Sequence, residues 1–448
     1  MDAKPAARLW NRSFALLWQG QLVSSIGKNA FALAALLWLK DATGSGTLSG
    51  LLTGLAMLPM VLLGPIAGVF VDRVNRGRMI AWTDVAGGVL VAAAATLFFL
   101  VPGRQELLLA AVFVVSLGTG LLDTFSQPSI MAAIPDLVPR EKLEAANSLN
   151  LTGFHVAFLV AQGAAGILYR LLGAPLLVAA NAVAYLWAGF SELGIKTPDA
   201  RTRARPAGVH PLRHFLSELA EGARYVWHHR GLRTLLVVFT ALNFFVAPLL
   251  ALMAFFVQDY LRLGPDWLGY LYACYGAGGL IGFALAGMLR VKGRGREALL
   301  AGATIGQSAT IPLMLLLPAV PWQITLFLAA GIMGGIVNVH VMTLMQTAAP
   351  QELRGRVQSL ATTVSAGVMP VGMALAGILF DLSGGNFWLV IGLPGVAMLL
   401  VSCAALASKH YRSFLADTPA APASSAPPAP PAPAGAASEG SPPPAAPK

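Results

Sequence analysis

Between Phe14 and Leu39 the chain carries a single charged residue, Lys28, in an otherwise apolar stretch. Runs of this kind recur at roughly 48–71, 79–101, 107–134, 147–169, 174–195, 234–258, 267–289, 298–317, 322–347, 356–380 and 387–407. About 20 apolar residues in helical form cross a bilayer core. One such run is an anchor, but twelve leave the chain only a fold that lives in the membrane. The runs lack strand-like alternation and are too long for barrel strands, so helices are expected. Composition agrees: 11% of the residues are charged, against about a quarter in soluble proteins.

The expected class is therefore an all-α integral membrane protein with twelve transmembrane helices. The polar N-terminus flows into a run too long for a signal-peptide core, so the first run reads as a retained span. A net charge of +10 raises the question of nucleic acid, but the basic residues fall in short clusters between apolar runs, and no nucleic-acid partner is expected. Cys274 and Cys403 both lie in apolar runs, so no disulfide framework is expected.

Lys and Arg set the orientation. With both termini in the cytoplasm, the inner segments hold 25 of the 30 Lys and Arg, and the outer loops hold Lys40, Arg104, Arg170 and Arg262. Positive residues stay inside, so a multi-pass protein of the plasma (inner) membrane with both ends cytoplasmic is expected. The longest internal connection, 196–233, reads as a basic linker followed by an amphipathic helix at the interface. Residues 411–448 are expected to be a disordered Pro/Ala-rich tail, because their composition cannot build a core.

An internal echo divides the chain. "PREKLEAANSL" (139–149) and "PQELRGRVQSL" (350–360) share Pro, Glu, Ser and Leu at the same positions, one after span four and the other after span ten. The plan is two pseudo-repeated six-helix bundles, 1–195 and 234–410, around a central cavity. Transporters commonly place a midplane site between such repeats.

"GPIAGVFVDRVNRGR" (64–78) resembles the signature loop between helices two and three of the major facilitator superfamily, with Gly68, Asp72, Arg73, Arg76 and Arg78 on the pattern G-x-x-x-D-R-x-x-R and a basic follower. Within that superfamily the chain looks most like the enterobactin-exporter and macrolide-efflux branch. The likeness is carried by "NRSFALLWQGQLVSSIG", "IPDLVPREKLEAANSL", "FLSELAEGARYVWHHRGLR" and "TLMQTAAPQELRGRVQS". The resemblance implies that Asp72 and Arg73 gate the transporter, with Asp72 facing the N-terminus of span eleven, where the helix dipole favours a carboxylate. Gly68, lacking a side chain, is expected to let another helix approach closely. Arg76 and Arg78 also enforce topology.

Polar residues form stripes inside the spans. Gln21, Ser25 and Lys28 share one helical face, as do Asp123 and Gln127. Further polar positions are His155, Asn243 and His340. Isolated Ser and Thr usually bond to their own helix, but stripes on several helices read as walls of a shared cavity. Lys28 and Asp123 stand near the middle of their spans, where a charge costs from about 3 to more than 10 kcal/mol. Lys28 is expected to pair with Asp123, to face a water-filled cavity, or both. Asp84 is expected to join the charge network of the signature loop. Asp259, Asp266 and Asp381, at the outer span ends, read as solvated.

No G-x-x-x-x-G-K-[ST] motif occurs, so ATP-driven transport is not expected. No enzymatic nucleophile, metal cluster or cofactor is expected either. The function that follows is a secondary transporter, working as a monomer in the bilayer, that exports a small amphipathic molecule in exchange for protons. A nutrient or lysolipid importer, or a non-transporting protein of the same fold, are the alternatives. A central inventory of one Lys, one Asp and two His carries no net negative charge, which points to a neutral or anionic cargo such as a siderophore, or to an antibiotic-like compound.

Overall fold

The computed structural model describes residues 9–71, 74–197, 211–289, 291–350 and 353–416, and every regular element among them is helical. Eleven helices among the described residues are long and apolar enough to cross a membrane. They are α1 (Arg12–Thr43), α2 (Gly46–Val71), α3 (Arg76–Leu100), α4 (Gln105–Leu137), α5 (Leu143–Glu192), α7 (Arg230–Ala251), α9 (Asp266–Met288), α10 (Gly293–Leu316), α11 (Val320–Ala348), α12 (Arg354–Leu382), and α13 (Leu393–Ala407) with the π-turn before it. Between α5 and α7 lies the amphipathic α6 (Pro211–His228); a short α8 (Met253–Phe255) leads into a π-turn, Phe256–Tyr260; α14 (Lys409–Ala416) closes the described chain.

The twelfth span is hidden in α5. Gly173 takes φ 71°, ψ 173°, a backbone that L side chains rarely adopt, and the helix breaks there. Trp18 donates to the Leu149 carbonyl and Tyr169 to Asp41, so the first arm runs parallel to α1. On the second arm Asn181 lies against Gly27 and Glu192 against Gly20, so that arm runs back. The arms are two spans joined by a sharp turn.

The helices start and stop where local chemistry dictates. Asn11 caps α1 by accepting from the Phe14 N–H at 3.0 Å, and its Nδ2 donates to the Leu137 carbonyl at 2.7 Å. Asn75 caps α3 in the same manner. Gly44, at φ 60°, ends α1 in the left-handed conformation.

Helices α1–α5 pack mainly on one another, as do α7 and α9–α13, and the two groups meet along α2 with α12 and along α5 with α9. Gly50 makes the first seam possible: a Cβ there would fall on the Met373 carbonyl oxygen. Such small-residue contacts let membrane helices approach closely. Gly68 has a different setting, since a Cβ on it meets nothing within 4 Å among the described residues. The close approach expected at Gly68 occurs instead nearer the other end of α2, where small residues face α12.

The end of the bundle carrying the α1–α2 turn is tied shut between the two groups. Lys40 Nζ lies 2.8 Å from Asp259 and donates to Gln258 at 2.8 Å. Arg170 lies 3.6 Å from Asp266. Asp381 accepts from Ser45, Gly46 and Thr47. The three aspartates expected to be merely solvated are therefore each engaged with the opposite group. At the other, basic end, Arg76 Nη1 donates to Asp136 at 2.7 Å and to the Ala132 carbonyl at 3.0 Å, which fastens α3 to α4 within one group. Asp72 and Arg73, the expected gate residues, and 198–210 of the linker lie outside the described residues, as does the tail from 417.

Candidate functional site

Gln21, Ser25 and Lys28 follow one another along a single face of α1, and three other helices bring acids to it. Lys28 Nζ donates to Asp123 Oδ1 of α4 at 2.7 Å and lies 3.5 Å from Asp84 Oδ1 of α3. It also sits 4.9 Å above the Tyr185 ring of α5, a favourable cation–π placement. Asp84 is 1% exposed. At 1.5 Å per residue, Lys28 and Asp123 stand about 21–24 Å from the basic end of their helices, and Asp84 about 12 Å. The four-carbon stem of Lys28 lets its ammonium reach back toward that shallower carboxylate.

Gln21 extends the cluster toward the basic end. Its Nε2 donates to Glu192 Oε1 at 2.9 Å and lies 3.4 Å from Asp84 Oδ2. Glu192 is 0% exposed although it closes the last turn of α5. Helices α1 and α3 run on past it, and Gly20 leaves room for its carboxyl alone. The second oxygen, Oε2, is buried without a hydrogen-bond partner among the described residues.

Asp84 and Glu192 are the functional candidates that sequence reasoning missed. Asp84 belongs to the buried cluster, not to the charge network of the signature loop. The available signal was depth. A short acid side chain two turns inside a span cannot reach water as a lysine can. Asn181, Tyr185 and Glu192 also recur on one face of the second arm. Among the described residues the buried cluster thus sets one ammonium against three carboxyls, Asp84, Asp123 and Glu192, and the expected inventory without surplus negative charge does not hold for it.

A cavity of about 240 Å³ adjoins the cluster. Gln21, Ser25, Gln127 and Asn150 supply its polar wall, and residues such as Trp18, Met131 and Phe154 its apolar one. Asp123 is one turn from Gln127 on the same face of α4. The volume approaches the 300–1,000 Å³ of typical small-molecule sites. Gln21 therefore has two sides, one on the cavity and one on the buried carboxyls.

The remaining expected residues lie elsewhere. His155 packs edge-on against Phe154 and tilted against Phe283 of α9, at 6.0 and 5.4 Å between ring centroids. Asn243 Nδ2 donates to the Phe239 carbonyl of its own helix, and His340 Nδ1 lies 2.9 Å from the Ile336 carbonyl of its own. Thr119, Thr343, Thr347 and Thr362 also bond back to their own turns. The structure groups Gln21, Ser25, Lys28, Asp123 and Gln127, and sets Asn243 and His340 apart on α7 and α11.

The sequence profile of the Major Facilitator Superfamily matches residues 17–372. Macrolide efflux protein A of Streptococcus pyogenes is 26% identical over 403 residues, covering 88% of this chain and 96% of that one. The multidrug efflux pump Tap of Mycolicibacterium fortuitum is 28% identical over 390 residues, covering 84% of this chain and 91% of its own. Among solved structures, the nucleoside transporter NupG superposes with a TM-score of 0.69 at 11% identity, over 88% of this chain and 98% of that one. A bacterial homologue of the iron transporter ferroportin, in an inward-facing state, gives 0.67 at 17% identity, over 91% and 99%.

Proposed function

The chain belongs to the Major Facilitator Superfamily, and from that membership we propose that it is a proton-driven exporter of small amphipathic organic molecules, antibiotic-like in character, in the plasma (inner) membrane. The observation that carries this reading is the Lys28–Asp123 ion pair, backed by Asp84 and Glu192 and set beside the cavity at Gln21. A charge pair near midplane is expensive. It is retained where charge must be moved or exchanged. The relatives named for macrolide and multidrug efflux support the outward direction. The surplus of carboxyls favours neutral or cationic cargo over an anionic siderophore, because an anion entering here meets more like charge than Lys28 offsets.

With both termini and 196–233 cytoplasmic, as the distribution of Lys and Arg favours, the sealed α1–α2 end is the outer one. The conformation then faces inward, and cargo enters the cavity from the cytoplasm. Six spans before the linker and six after it act as the two moving bodies.

The test is flux into inside-out vesicles with and without an imposed pH gradient, using a macrolide, ethidium and a catecholate siderophore as cargoes. Accumulation of the first two that collapses when the gradient is dissipated is the expected result. Gradient-independent flux would remove proton exchange. Siderophore flux alone would reverse the cargo assignment, and no flux of any cargo would reject the exporter.

A further inference from the structure

Lys28 and Asp123 answer each other's charge, but among the described residues no cation forms an ion pair with Glu192. Its carboxyl is wholly buried among Gly20 and Gln21 of α1 and Asp84 of α3, with Lys28, Tyr185 and Asp123 beyond them. Gln21 Nε2 serves Oε1, whereas Oε2 has no partner. An ionised carboxylate is an acceptor at both oxygens, and leaving one of them dry and unbonded is costly. Asp84 Oδ2 touches the same Gln21 nitrogen, so the two carboxyls are separated by no more than the sum of those two contacts. A proton on one carboxyl turns an acceptor–acceptor pair into a donor and an acceptor. On the α1 side there is no space beside Oε1, since even a methyl group at Gly20 would collide with it.

Resting on the exporter reading, we propose that Glu192, paired with Asp84, is the exchangeable proton site, and that Gln21 is the positioning residue through which cargo in the adjoining cavity displaces that proton. In the inward-facing state the Glu192–Asp84 pair holds one proton. A cationic cargo enters beside Gln21, Ser25 and Gln127. Its positive charge offsets the surplus carboxylate, the carboxyl O–H bond breaks, and the proton leaves to cavity water on the cytoplasmic side. The ionised Oε1 keeps the Gln21 N–H bond. After the transporter opens outward, cargo leaves and a proton from outside takes its place. One positive charge enters the cluster as one leaves, so the interior never holds both.

Purified full-length protein in detergent, weakly buffered with a pH-indicating dye, tests this with ethidium as the probe. Ethidium should release protons from the unmodified protein, and its affinity should rise about tenfold per pH unit, the slope for one proton displaced per cation bound. Glu192→Gln should bind ethidium with no proton release and less than about a twofold change over the same range. Glu192→Asp should restore the release. Gln21→Leu should weaken the release at a given ethidium concentration and move its midpoint to higher pH, because the freed carboxylate loses its donor; a merely structural loss would leave the midpoint in place. Infrared difference spectra of the unmodified protein provide a readout that needs no variant: ethidium should remove the carbonyl stretch of a protonated carboxyl. Absence of that signal, an unchanged pH slope in Glu192→Gln, or competition by sodium in place of acid would each overturn the assignment. If Glu192→Gln still exchanges ethidium for protons in vesicles, the site is wrong and the exporter reading stands. If the unmodified protein moves no cargo, that reading falls first.

Discussion

Asp381, on the last turn of α12, holds the first turn of α2 by accepting the Gly46 N–H at 2.7 Å. Its other oxygen takes the Thr47 N–H at 2.9 Å and the Ser45 hydroxyl at 2.7 Å. A carboxylate from one group of helices thus caps a helix of the other, where free N–H groups and the dipole favour it. Asp381→Ala should loosen this end. The cost of a lost cap at an exposed site is about 0.5–1 kcal/mol, a shift of about 2- to 5-fold in a two-state balance. The check is labelling of a cysteine at Gln127 by an impermeant maleimide added outside, which should speed up by that factor. An unchanged rate would remove Asp381 from the seal.

The seam beside that cap is steric. Gly50→Val places its side chain on the Met373 carbonyl and forces α2 away from α12. Cysteines at Lys40 and Asp259, whose charged tips meet at 2.8 Å in the closed form, should be bridged by a short bifunctional maleimide in the parent and poorly in this variant. Transport should fall with the cross-link. Equal cross-linking in both would show that the seam tolerates a β-branched residue.

Much of this architecture was legible because apolar length is a strong signal. All twelve spans stood out, and the break at Gly173 falls between the runs read as five and six. Lys28 and Asp123 were legible because a charge in the middle of a span has no bland explanation. Asp84 was marked only by its depth two turns inside α3, and Glu192 was not marked at all, because an acid at a helix end ordinarily reaches water. Only the overshoot of α1 and α3 past Glu192 buries it, and that overshoot is a tertiary fact. Asp259, Asp266 and Asp381 were misread for a related reason: their partners, Lys40, Arg170 and the Ser45–Thr47 turn, lie on the other group of helices, and no local pattern links them. His340 and Asn243 stood out in sequence because polar groups in apolar spans are conspicuous, yet each bonds within its own helix.

Lys28→Ala should cost stability in a pH-dependent way. Removing one partner of a buried pair costs about 3–5 kcal/mol, and the partial exposure of Asp123 lowers this through screening. The variant leaves Asp84, Asp123 and Glu192 without a cation. Protonation relieves their mutual repulsion, so its melting temperature in detergent should recover as pH falls. Lys28→Ala combined with Asp123→Asn should regain part of the loss at neutral pH. A deficit independent of pH would mean that Lys28 contributes packing alone.

Topology has a direct check. Single cysteines at Arg104 and Arg262 should react with an impermeant maleimide added to intact cells, and one at Lys142 should react only after permeabilisation. Labelling of Lys142 from outside would invert the orientation and place the sealed α1–α2 end in the cytoplasm.

Cargo charge follows from the same cluster. With one ammonium and three carboxyls, a cationic cargo lowers the electrostatic cost of the site and an anionic one raises it. Asp84→Asn combined with Asp123→Asn removes two of the carboxyls and leaves Lys28 facing Glu192 alone. Lys28 then loses its 2.7 Å partner, and Glu192 is the one carboxyl of the cluster left to offset it. The surplus negative charge is gone, and the nearest fixed charge that cargo meets is positive. Ethidium efflux should fall at least about tenfold, the equivalent of about 1.4 kcal/mol, and a catecholate siderophore that the parent moves poorly should become a cargo. Adding Lys28→Ala to this pair should abolish siderophore flux again, since no cation then faces the cavity. If the double variant keeps the parent's preference for ethidium, cargo is sorted by the aromatic wall of Trp18 and Phe154 and not by the charge behind it.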